Sequence, residues 1–116
     1  MTQVRMTDGR LTARLQRWER VAGLLGDLDV PVTAVTAAEA VPDGTAALQG
    51  VRAPGLALPG GPRIGTWRGR RARRWVAVRP GQPALRVRLE GQRWDEVLVT
   101  TADAEQLADA LRTRTP

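Results

Sequence analysis

Residues 67–79 read WRGRRARRWVAVR, and the way this stretch folds decides the architecture around it. Six of its thirteen residues are arginine and two are tryptophan. Gly69–Ala72 reads as the loop of a β-hairpin, with Trp67 and Trp75 on its two arms. The arginine-dense segment is then a surface turn joining paired extended arms.

Working outward, residues 63–68, 73–79, 84–90 and 94–100 are strand-like. The third is the cleanest: Leu85, Val87 and Leu89 share one face, and Arg86, Arg88 and Glu90 the other. The links GRRA, PGQP and GQR are short. Short links join antiparallel neighbours, so these four strands are expected to form a meander. Further upstream, Asp8-Gly9 sits between two alternating segments and is a strong hairpin signal. Leu11, Ala13 and Leu15 then face a core while Arg10, Thr12 and Arg14 face water. Trp18, Val21, Leu24 and Leu25 recur at helical spacing over residues 18–25, and Gly26 ends the turn. Residues 30–41, VPVTAVTAAEAV, read as one strand, bulged where alternation slips near Ala34–Val35. Residues 42–62 hold four prolines and five glycines and are expected to be an ordered loop folded on the body. The chain ends in an amphipathic helix. Asp103 is its N-cap with Gln106 at the capping-box position, and Leu107, Ala110 and Leu111 form the stripe. Each buried leucine there adds about 1.5–3 kcal/mol.

The 116 residues suffice for one domain with one core, spanning 1–116. Ser, Asn, Lys, Cys, His, Phe and Tyr are all absent, and the eighteen basic residues are all arginine. A GC-rich genome explains the loss of Lys, Asn, Phe and Tyr; the missing serine has no such account. These gaps remove the usual nucleophiles, the neutral-pH acid–base residue and the zinc ligands. Only a carboxylate-based enzyme is left, and it is poorly supplied. Asp95 and Glu96 are adjacent and would point to opposite faces of a strand, while Asp27 and Asp29 lie near a turn. A non-enzymatic protein with no cofactor and no metal is expected. No apolar run approaches the ~20 residues of a bilayer span and the start lacks a signal peptide's apolar segment. The expected location is cytoplasmic, with peripheral contact at the inner face of the membrane as an option.

The segments RAPGLALPG (52–60), RIGTWRG (63–69), RWVAVR (74–79) and PALRVRLEGQRWDEVLVTTADAEQLADAL (83–111) together resemble the bacterial pleckstrin-homology-like domains of small actinobacterial proteins. Residues 4–41 fit the leading strands and the inserted short helix. Trp67, Trp75 and Trp94 stand where that family more often has Phe or Tyr, and Ala104 where it often has Pro. The resemblance implies a mainly β fold. About seven strands would form a curved antiparallel sandwich or partly open barrel, with a short inserted helix and a C-terminal capping helix. It also implies binding of lipids, peptides or proteins through loops and strand edges.

Residues 63–93 hold ten arginines against Glu90 alone. Two partner classes follow. One is protein–protein or self-association, with the acidic face Asp103, Glu105 and Asp109 set against a basic hairpin. The other is a polyanion, either anionic lipid or nucleic acid, held by Arg68, Arg70, Arg71, Arg73 and Arg74 and extended by Arg86 and Arg88. The loop 52–62 lacks the Gly-Lys-Thr/Ser ending of a phosphate cradle and leads into no helix. Arginine stacking on Trp75 is a further expectation for the hairpin.

Overall fold

The computed structural model describes residues 3–7, 9–23, 25–44, 51–57, 63–69 and 72–114. The first element is the expected hairpin. β1 (Gln3–Thr7) and β2 (Arg10–Arg14) pair antiparallel around Gly9, whose φ of 74° places it where a side chain is strained. β3 (Leu28–Pro31) pairs with β2 on its other side, giving a sheet ordered β1-β2-β3. Leu11, Ala13, Leu15, Leu28 and Val30 are buried on the inner face, while Arg10, Arg14 and Asp29 are exposed on the outer one. The alternation predicted for residues 10–15 therefore holds.

Between β2 and β3 lies α1 (Arg17–Gly23). Gln16 occupies its N-cap position: its carbonyl accepts the first helical bond from Arg20 N at 3.1 Å. Glu19, three residues on and 2% exposed, reaches back to accept the Gln16 N–H at 2.7 Å. This is one half of a capping box. Trp18, read as part of the inner stripe, is instead 43% exposed. The position that the first turn buries is Glu19, whose carboxylate is spent on the helix end. Asp27 closes the excursion. It accepts from Leu15 N at 2.9 Å and from the Arg20 guanidinium at 2.7 Å.

The stretch 30–41 is two strands. β3 stops at Pro31, and Val32 begins a 3-10 turn, Val32–Ala34, with its N–H donated to Gly9 O at 2.9 Å. β4 (Val35–Val41) then joins the other sheet, with a bulge between Val35 and Ala37. The slip in alternation near Ala34–Val35 is thus a change of sheet as well as a bulge. Gly44 follows at a tight approach: a Cβ there would lie 2.7 Å from Val78 Cγ1 and 2.9 Å from Ala84 Cβ.

The second sheet contains β5 (Val51–Ala57), β6 (Arg63–Gly69), β7 (Ala72–Val78), β8 (Ala84–Leu89) and β9 (Glu96–Thr100) in addition to β4. Its order is β4-β8-β9-β7-β6-β5. Two expectations change here. Residues 51–57 are an edge strand paired with β6, not a loop. The last four strands are not a simple meander either. β9 inserts between β8 and β7, pairing antiparallel with the first and parallel with the second. The short link Arg79–Pro83 therefore joins strands that are not hydrogen-bonded neighbours. The described residues hold nine strands in two sheets, against about seven expected. The six-stranded sheet keeps two edges, β4 and β5, and does not close.

The main core lies between the sheets and includes Trp75, Leu85, Val87, Val97 and Val99 from the larger one. The indole N–H of Trp75 donates to Gly26 O at 2.9 Å and so fastens the segment entering β3. α2 (Ala104–Arg114) packs on β4 and β8 through Ala104, Ala108 and Leu111. Its Arg112 Nε donates to Ala38 O at 2.9 Å, covering part of the β4 edge. Trp67, Val76, Val78, Ala84 and Leu98 form a second cluster on the opposite face of the large sheet. The central strands are therefore buried on both sides.

Candidate functional site

Register fixes where the arginines of the opening stretch go. Across the β6–β7 hairpin Arg68 stands opposite Arg73, and Trp67 opposite Arg74. Trp75 belongs to the main core and Trp67 to the second cluster, so Arg73 and Arg74 lie on different faces. Arg70 and Arg71 lie outside the described residues. The expected single arginine patch is thus divided by the pleat. Among the described residues no arginine stacks on Trp75, which is fully buried. The described stacked pairs are Arg79 on Trp18, at 5.6 Å, and Arg93 on Trp94, at 5.2 Å.

The face carrying Arg74 also carries Arg86 and Arg88. Because β9 sits between β7 and β8, one row across the sheet reads Ala37, Arg88, Glu96, Arg74, Trp67. The next row starts Glu39, Arg86, Leu98, Val76. Arg86 forms an ion pair with Glu39. Arg74 approaches Glu96 at 3.7 Å, with both side chains about 13–14% exposed. That distance exceeds a hydrogen bond, and Arg74 Nε and Nη1 are buried without an acceptor. Orphaned donors of this kind cost about 1–3 kcal/mol each. Arg88 is exposed and takes part in no ion pair among the described residues. Beside it a shallow groove of about 260 Å³ is lined by Ala37, Ala38, Glu39, Arg86 and Arg88. The alanines leave the space that the longer side chains border.

A second basic concavity was not anticipated. On the outer face of the three-stranded sheet, Gln3, Arg5, Thr12 and Arg14 line a cleft of about 190 Å³. The alternation of residues 10–15 put Thr12 and Arg14 on the wet face. Only the pairing of Gln3 with Arg14 and of Arg5 with Thr12 joins the two strands' contributions. A third concavity, of about 410 Å³, lies between the end of β4 and the start of α2. Alanines and prolines largely line it, and no described arginine does.

Among the described residues no group of three or more His, Cys, Asp or Glu is placed to hold a metal ion. Nor is any described helix long and apolar enough to cross a membrane. Asp27 and Asp29, considered as carboxylates for chemistry, serve structure. Asp27 bonds Leu15 and Arg20, and Asp29 bonds Arg10 at 2.6 Å. Asp95 accepts the Arg73 N–H at 2.8 Å and gives its own N–H to Arg73 O, also at 2.8 Å. It thereby starts the parallel pairing of β7 with β9. Compared with family models, curated proteins and solved structures, the chain matches none.

Proposed function

We propose that this chain is a non-enzymatic binding domain of bacterial pleckstrin-homology-like type that works by protein–protein contact. The partner that best fits its outer β4–β8–β9 face is a second copy of itself. One observation carries this. The face holds both halves of a complementary charge set around one groove, with Glu39 beside Arg86 and Arg88. A two-fold axis over that groove brings Glu39 of one copy to Arg88 of the other, and the reverse, as self-complementary interfaces require. The absence of Ser, Cys, His and Lys supports a role without catalysis. Sedimentation across the micromolar range tests the contact. Self-association should weaken about tenfold in Arg88→Glu and in Glu39→Arg, and return when the two variants are mixed. A monomer at every concentration, or association indifferent to both changes, contradicts it.

A second reading rests on a different observation. Arg68 and Arg73 occupy directly opposite register positions in the hairpin, and Arg70 and Arg71 lie between them in the sequence. A polyanion, whether anionic lipid or nucleic acid, would be held by Arg68, Arg70, Arg71 and Arg73, with Arg74 turned to the other face. Binding to anionic vesicles or oligonucleotides at low salt, lost on changing Arg70, Arg71 and Arg73 to Gln, would support it. Binding that survives those changes would not.

A further inference from the structure

The outer face of the three-stranded sheet holds a cation pair of its own. In β1, Gln3 and Arg5 point to one side, and in β2, Thr12 and Arg14 do the same. Gln3 stands opposite Arg14 and Arg5 opposite Thr12, so the four make a square with the arginines on a diagonal. Diagonal neighbours on an antiparallel pair have Cα atoms about 7–8 Å apart, within reach of long side chains. Neither guanidinium is engaged by a described residue. Arg10, next in the column, is held by Asp29 at 2.6 Å, whereas Arg5 and Arg14 have no ion pair among the described residues. The described lining of the cleft contains no acid. The Thr12 hydroxyl makes only a long bond to Arg5 O, at 3.4 Å, and can turn to another acceptor.

We infer that this cleft binds a terminal phosphate group, a phosphomonoester dianion. Two guanidinium forks, a hydroxyl and an amide N–H present more donors than the two oxygens of a carboxylate can take up. A monoester phosphate has three free oxygens and two negative charges to meet them. A phosphodiester has two free oxygens and one charge, and leaves a fork unmatched. The cleft lies on the smaller sheet, apart from the β4–β8–β9 face and from the arginine-rich hairpin, so the inference stands independently of the proposals made for those.

The test is an amide and arginine side-chain NMR titration of the whole chain at constant ionic strength. Three probes are used: inorganic phosphate, a nucleoside 5′-monophosphate and a phosphoserine peptide. Saturable shifts at Arg5, Thr12 and Arg14 are expected with inorganic phosphate. The organic probe that binds more tightly identifies the source of the phosphate. Arg14→Gln and Arg5→Gln should each weaken binding at least tenfold while leaving the rest of the spectrum in place, and Arg88→Gln, on the other sheet, should not weaken it. Shifts that never saturate, that persist in both variants, or that a phosphodiester oligonucleotide reproduces at equal affinity overturn the inference.

Discussion

The two sheets bury their strands differently. In the three-stranded sheet one face is packed and one is wet, so β2 alternates Leu11, Ala13 against Arg10, Thr12, Arg14. In the six-stranded sheet the central strands are covered on both faces. Trp75–Val78 and Val97–Thr100 are buried without interruption. Alternation survives only where water touches one side. It tells which way a side chain points, but a doubly buried strand has lost that mark, and with it the clue to its neighbours.

Substitutions should follow this contrast. The largest effect is expected from Trp75→Ala, which empties a fully buried site and leaves Gly26 O without its donor. A loss of about 3–5 kcal/mol by denaturant unfolding is expected. Trp18→Ala, at a 43% exposed site, should cost under about 1 kcal/mol. Equal losses would dissolve the distinction between the two tryptophans. Next comes the half-buried charged row. Glu96→Leu leaves Arg74 as an uncompensated cation and should cost about 3 kcal/mol. The double variant Arg74→Met, Glu96→Leu should recover that loss or exceed the parent in Tm, since the orphaned Nε and Nη1 go with it. A double variant weaker than the single one would show the pair to be a net support. Gly44→Ala sets a methyl against Val78 and Ala84 and should cost about 1–3 kcal/mol. Smallest is Arg10→Ala on the wet face. It breaks an exposed pair with Asp29 and is expected to cost less than about 1 kcal/mol.

How much was legible follows the same line. The first hairpin, the strands 63–69, 72–78 and 84–89, and the final helix could be read from alternation, Asp-Gly and the Asp103 start. The Leu107 N–H donates to the Asp103 carbonyl at 2.9 Å and marks that start in the structure. The insertion of β9 was not legible. Link length speaks for sequence neighbours, whereas Asp95 bonding Arg73 across 22 positions is a tertiary contact with no local sign. β5 was hidden by Pro54 and Gly55, which read as turn residues but are tolerated on an edge strand at a register shift. The site suffered likewise. Counting arginines along 67–79 made one patch, and the pleat made two. Arg5 and Arg14 stood in plain view on the wet face, but only register sets them on one diagonal.

Strand order decides the most, because the row Arg88, Glu96, Arg74 exists only with β9 between β8 and β7. Backbone NOEs on the labelled protein read it directly. Val76 should show contacts to Leu98 in the parallel pattern, and Val87 to Val97 in the antiparallel one. Direct contacts between β7 and β8, with β9 outside them, would contradict the account and remove the charged face with it.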